Sequence, residues 1–185
     1  LLNKAADNVD FDRALKAALL SFKCVQDEDI ENFLHNKAED FINRKLCQVY
    51  LILNEDDFRN GFIKIEAYFT LSFKSMISNP NKISLSKIRK ISGNKKSKTL
   101  DFVLIGQLGK HVEYLNGNYI RSEISGNEIL DTVFDVIKEI DALIPCKFAL
   151  IECNNEAKVK EFYENYNFSF FQHDDNHNQY IKFIE

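Results

Sequence analysis

Phe102-Val103-Leu104-Ile105-Gly106-Gln107-Leu108-Gly109, then a polar loop, then Ser125-Gly126-Asn127-Glu128-Ile129-Leu130: the fold turns on this stretch. It reads as an apolar strand, a glycine-containing exit and the opening of a long helix. The helix repeats an apolar face at Ile129, Leu130, Val133, Phe134, Ile137 and Ile140. Four of the six glycines (Gly106, Gly109, Gly117, Gly126) fall in this region. A small residue at a helix start leaves backbone N–H groups at the positive end of the helix dipole, where a phosphate can sit. Ser125 and Glu128 also have the S-x-x-E spacing of a capping box, which needs no ligand. Both readings stand here. Pro145 ends the helix, and residues 147–153 form an apolar run with little alternation, as in a strand covered on both faces. Strand, helix and strand at this length make a right-handed crossover with parallel strands, so the fold class is α/β with a mixed sheet.

Toward the N-terminus, Phe11, Leu15, Ala18, Leu19 and Phe22 predict a helix over about residues 10–22. Ile30, Phe33, Leu34, Ala38, Phe41 and Ile42 predict a second over 27–45, with Asp27, Glu28 and Asp29 at its start and Arg44 and Lys45 at its end. Residues 48–53 and 63–73 read as an antiparallel strand pair joined across the polar tract 54–61. Asn79-Pro80-Asn81 and Ser92-Gly93-Asn94 are turn signals that bracket a short element carrying Ile83, Leu85, Ile88 and Ile91. Beyond the crossover, Asn154-Asn155 is read as capping a short helix with Val159, Phe162, Tyr163 and Tyr166 as its periodic residues. Residues 168–172 and 179–184 close the chain as a hairpin. No repeat interrupts this order, and 185 residues are read as a single domain with a basic insertion at about 76–100.

Apolar and charged fractions of 45% and 28% are those of a soluble globular protein. No apolar run is long enough to span a bilayer, so no membrane role is expected, and no signal-peptide pattern is apparent. Cys24, Cys47, Cys146 and Cys153 have no metal-binding spacing and read as buried, reduced thiols of a cytoplasmic protein. The net charge of −4 argues against global nucleic-acid affinity, but the charge is polarised. Residues 74–99 hold eight Lys/Arg and no Asp or Glu, against 16 basic and 28 acidic residues elsewhere.

The element order resembles that of the GNAT acetyltransferase superfamily, and particular residues carry the resemblance. Tyr68-Phe69-Thr70-Leu71-Ser72 is similar to a Y-F-T-L-S strand of one bacterial branch. Leu104-Ile105-Gly106-Gln107-Leu108-Gly109 resembles the strand whose backbone pairs with the pantetheine arm of the cofactor. Phe162-Tyr163-Glu164-Asn165-Tyr166-Asn167-Phe168 is similar to F-Y-x-x-x-G-F, with Asn167 where Gly is usual. The superfamily's pyrophosphate loop, Q/R-x-x-G-x-G/A, is matched by Arg121-Ser122-Glu123-Ile124-Ser125-Gly126, with Ile124 in place of the first Gly and a longer loop before it. The resemblance covers about residues 20–172. It implies a GNAT fold: a central mixed sheet with a parallel, splayed strand pair, flanked by helices.

The resemblance further implies an acetyl-CoA-dependent N-acetyltransferase acting on a primary amine. Coenzyme A would be held by Gln107, Leu108, Gly109, Arg121, Ser125, Gly126, Asn127 and Glu128, with Asn154 and Asn155 contributing or merely capping a helix. Tyr163 is implied as the general acid, since a phenol is well matched to a thiolate leaving group; a packed core aromatic is the competing reading. Glu66, Glu113 and Glu152 are candidate bases, and solvated or ion-paired carboxylates otherwise. His111 could lie near the mouth of the site, but as a lone loop His it reads as exposed. His173, Asp174, Asp175 and His177 match no metal motif and fit a polar hairpin turn, so no metal is expected. The branch resembles toxin-type acetyltransferases, which implies aminoacyl-tRNA as one acceptor beside a small amine or a protein lysine, with an antitoxin and a homodimer among the partners. The basic tract suits an RNA backbone or is a solvated loop. A catalytically degenerate GNAT-fold interaction module is the non-enzymatic alternative.

Overall fold

Apolar residues at helical spacing build the N-terminal elements of the structure, a computed structural model that describes residues 9–25, 27–174 and 177–185. Helix α1 (Val9–Ser21) is followed by α2 (Glu28–Asn36) and α3 (Ala38–Asn43). The single helix expected over 27–45 is therefore two. Lys37 leaves the helical region (φ −120°, ψ −27°), yet Lys37 N–H still reaches the Phe33 carbonyl and Phe41 N–H the Lys37 carbonyl. A one-residue break that preserves the apolar period is invisible to periodicity.

Strand β1 (Gln48–Leu53) leads into α4 (Glu55–Arg59), which occupies the polar tract read as a turn. Its signals are local: Asn54 accepts Asp57 N–H at 2.9 Å as N-cap, and Glu55, Asp56 and Asp57 sit at the positive helix end. Strand β2 (Ile65–Ile77), α5 (Leu85–Ser92), which ends on Gly93 at φ 82°, and β3 (Thr99–Lys110) follow. The basic tract thus contains a packed helix. The supposed polar loop after β3 is a hairpin, β4 (Val112–Leu115) and β5 (Asn118–Arg121). Asn116 (φ 51°) and Gly117 (φ 83°) supply the left-handed turn. Helix α6 (Gly126–Leu143), β6 (Phe148–Cys153), α7 (Ala157–Asn165), β7 (Ser169–His173) and β8 (Asn178–Phe183) complete the chain.

Six strands form a mixed sheet in the order β1-β2-β3-β6-β8-β7, and β4-β5 is a separate two-stranded sheet. The crossover is parallel as expected, registered from Val103↔Ala149 to Ile105↔Ile151, while β6 continues to Cys153. Strands β7 and β8 are antiparallel neighbours. The hairpin tip expected around residues 173–177 includes Asp175 and Asn176, which lie outside the described residues. Asn167, standing in for a motif glycine, has φ 65°, a conformation that Asn tolerates better than most residues.

The chain divides into two compact units, one of residues up to 70 with 107–129, the other of residues 71–106 with 130–185. In the first unit Phe22, Phe33, Leu34, Ala38, Ile65 and Tyr68 form the core. The Tyr68 hydroxyl donates to the Ile30 carbonyl, and Phe22 meets its ring edge-on at 5.2 Å. In the second unit Ile88 and Ile91 of α5 pack with Leu100, Phe102, Leu150 and Phe171. Cys24 and Cys153 are buried, whereas Cys47 and Cys146, expected to be buried, are half-buried; none of the four is in a disulfide. Among the described residues no helix is long and apolar enough to cross a membrane.

Candidate functional site

The start of α6 is a complete capping box. Glu128 N–H donates to Ser125 Oγ at 3.2 Å, and Ser125 N–H donates to Glu128 Oε2 at 2.7 Å. These bonds occupy two of the four N–H groups that a phosphate would use. Among the described residues Gly126 and Asn127 N–H have no hydrogen-bond partner, at the N-terminus of an 18-residue helix. The Ser125 hydrogen bonds hold the Glu128 carboxyl below its usual pKa, and the Lys110 ammonium acts in the same direction. Lys110, not singled out from the sequence, therefore brings a cation to this helix end. It is the last residue of β3 and lies 18 positions from Glu128, a separation that no local pattern reports. Two open N–H groups and a lysine fit a diphosphate. The Glu128 carboxylate is the anion now seated there, and it competes with one.

Along β3, Gln107 N–H donates to the buried Thr70 hydroxyl at 2.8 Å, so that backbone donor is engaged. Leu108 is half-buried. Gly109 has no room for a side chain: a Cβ there would lie 2.4 Å from Ile30 Cγ2 and 3.1 Å from Tyr68 Cε1. Arg121, the last residue of β5, is exposed and opposes Val112 across the hairpin.

These residues belong to the first unit; Tyr163, Asn154 and Asn155 belong to the second. Tyr163 is only 8% exposed on α7, with Phe168 edge-on at 5.7 Å and Phe162 at 5.1 Å. Burial first, and the Cys153 thiol second, push its phenol above the ordinary tyrosine pKa. The phenol is protonated at neutral pH with or without this shift, and the shift makes it a weaker proton donor. The Asn pair does not cap α7 directly, because Glu156 is the N-cap residue. Asn154 Oδ1 accepts Glu156 N–H at 3.3 Å, and Asn155 Oδ1 accepts Asn178 Nδ2 and Lys160 Nζ at 3.1 Å each. Both side chains brace the β6–α7 connection.

Each candidate base has structural partners. Glu66 accepts from Asn54 Nδ2 at 3.1 Å and from the Ser122 hydroxyl. Glu113 pairs with Lys64 at 2.9 Å, which lowers its pKa. Glu152 receives both its oxygens' bonds from Lys74 at 2.7 Å and a third from Gln179 at 2.6 Å. His111 is not exposed, as its loop position predicted, but 8% exposed at the base of the hairpin. Among the described residues no group of side chains is arranged to hold a metal ion; Asp175 lies outside them.

No protein-family model matches the chain, and no curated protein matches it in sequence. Solved structures do match in fold. A Tyr→Phe mutant of KacT aligns over 90% of this chain and 87% of its own, with TM-score 0.66 and 17% identity. AtaT complexed with acetyl-methionyl-tRNAfMet aligns over 89% and 86%, with TM-score 0.64 and 19% identity. A Tyr→Phe mutant of the AtaT toxin bound to the C-terminus of the antitoxin AtaR and acetyl-CoA aligns over 90% and 85%, with TM-score 0.62 and 16% identity. The fold is therefore the GNAT fold shared with these AtaT and KacT structures, as the sequence motifs implied.

Proposed function

We propose that this protein is an acetyl-CoA-dependent N-acetyltransferase of the bacterial cytoplasm, transferring an acetyl group to a primary amine by direct attack on the thioester. The observation that carries this reading is a fold shared over about nine-tenths of the chain with toxins solved on acetyl-CoA, joined to a helix N-terminus with open N–H groups. Bound acetyl-CoA would supply the acyl group and a thiolate leaving group. Gly126 and Asn127 N–H with Lys110 would hold the diphosphate, once the Glu128 carboxylate turns away. Tyr163 would give its phenolic proton to the departing sulfur; burial raises its pKa and so weakens it as a donor, an effect offset where the thiolate forms in the same desolvated surroundings and becomes more basic too. The attacking amine would release one proton to solvent water as the C–N bond forms and the C–S bond breaks.

Aminoacyl-tRNA is a specific second reading for the acceptor, with an antitoxin as partner. It draws on the AtaT complex with acetyl-methionyl-tRNAfMet and on the basic tract of residues 74–99.

Calorimetric titration with acetyl-CoA, with CoA and dephospho-CoA alongside, tests the proposal. Low-micromolar affinity is expected, about −8 kcal/mol. Absence of heat would mean that Ile124 and the capping box have closed the cofactor site, and would leave the fold as an interaction module.

A further inference from the structure

A cavity of about 500 Å³ lies wholly inside the first unit, in the size range of small-ligand sites. The end of β1, the start of β2, the hairpin base and residues 120–124 form its walls. Glu66 is its electrostatic centre. Both side-chain partners of Glu66, the Asn54 amide and the Ser122 hydroxyl, are neutral. One lysine is nearby, and it is committed elsewhere: Lys64 Nζ sits 2.9 Å from Glu113, and its pKa is raised chiefly by that bond and only at longer range by Glu66 and Asp57. Two carboxylates therefore share one ammonium. Glu55 and Glu123 also line the cavity, Glu55 already paired with Arg59, and Arg121 is the remaining cation of the lining. The negative surplus is not relieved.

His111 supplies the second observation. Its Nδ1 accepts Lys23 N–H at 3.1 Å, so the neutral ring carries its proton on Nε2. Among the described residues Nε2 has no protein partner, and no buried side-chain nitrogen or oxygen lacks one, so this N–H opens to solvent at the cavity that His111 lines. Burial keeps this ring neutral against the pull of Glu113 and Glu66, with Lys64 opposing protonation. The imidazole thus does not neutralise the carboxylates. A cation brought from outside would.

We propose that this cavity binds a small primary ammonium ion, its charge on the open lone pairs of Glu66 and its carbon skeleton against Ile52 and Ile120. A half-buried carboxylate held in place by neutral donors is pre-oriented for a cation and loses little on binding one. The apolar wall selects a compact organic amine over a metal ion. Occupancy is measured without acetyl-CoA, so the site is decided independently of acetyl transfer.

The test is a ¹H–¹⁵N NMR titration of the whole chain at pH 7.5 with cyclohexylammonium, cyclohexanol and cyclohexanecarboxylate, which share one ring and differ in charge. Saturable shifts confined to residues 52–55, 64–66, 111–113 and 120–124 are expected for the ammonium, with the other two at least tenfold weaker. Glu66→Gln keeps an acceptor for Asn54 or Ser122 and should weaken the ammonium at least tenfold, while Glu156→Gln in the second unit leaves it unchanged. Equal binding of cyclohexanol, shifts outside those segments, or full affinity in a folded Glu66→Gln protein would overturn the proposal. If Glu66→Gln does not fold, the three-ligand comparison on the unaltered chain decides.

Discussion

Tyr163 packs as a core aromatic, and a single oxygen separates that role from the proposed one as acid. Tyr163→Phe keeps the ring contacts with Phe162 and Phe168. It should preserve folding and acetyl-CoA affinity while lowering turnover by about 10²–10⁴-fold, the usual worth of a general acid. Steady-state kinetics beside calorimetry separates these effects, and an unchanged kcat would return Tyr163 to a packing role alone. Gly109 is the opposite case, a motif residue whose constraint is steric. Gly109→Ala drives a methyl into Ile30 and Tyr68 and should cost about 1–3 kcal/mol in urea unfolding, the usual price of overpacking. His111 makes stability depend on pH. Its folded pKa lies below the unfolded value of about 6.5, so the unfolded chain binds more protons in that window. The contribution is complete above pH 6.5 and is lost as pH falls toward the folded pKa. Denaturation midpoints measured from pH 7.5 to pH 5.5 should fall, and His111→Gln should flatten that slope.

At the scale of elements, the decisive feature is a helix start that already holds an anion. In the capping box the Glu128 carboxylate occupies the position a diphosphate would use. Glu128→Gln retains a side-chain acceptor for Ser125 N–H and removes the charge. It should strengthen acetyl-CoA binding by about two- to fivefold, the worth of one charge at a helix terminus, and calorimetry of both proteins at equal salt reads the change. Weaker binding would assign Glu128 a direct role with the cofactor. Elements differ in how openly the sequence declares them. The capping box was legible from four residues, and α6 from its apolar period. The β4–β5 hairpin carried an equally local signal in Asn116-Gly117, but its strands are short and largely exposed, so no alternation marks them. Helix α4 likewise declared itself through Asn54 and three acidic residues, a signal masked by the polarity of the tract.

For the whole molecule, the question is what the concentrated positive charge of residues 74–99 does. Two of its lysines have internal duties. Lys74 is held by Glu152, and Lys87 donates to the Phe170 and Phe171 carbonyls while lying over the Phe171 ring. Neutralising Lys95, Lys96 and Lys98 therefore probes nucleic-acid binding without touching those contacts. If aminoacyl-tRNA is the acceptor, the triple Ala variant should reduce the slope of log affinity against log salt by about 2–3, one counterion per lost phosphate contact. Binding that is absent, or indifferent to salt, would remove RNA from the reading.

The sequence by itself determined the crossover unit, the chain order of the six strands in the mixed sheet and the capping box, and it named an acid candidate. Each is specified by neighbours a few positions apart, through side-chain period, cap chemistry or a short motif. Only the tertiary structure decided that β8 lies between β6 and β7, and that Lys110 reaches the start of α6. It also decided that His111 is buried against Lys23, and that Glu66, Asn54 and Ser122 meet at one cavity. Those partners stand 12 to 88 residues apart. Their meeting depends on how packed elements carry them through space, which no local period encodes.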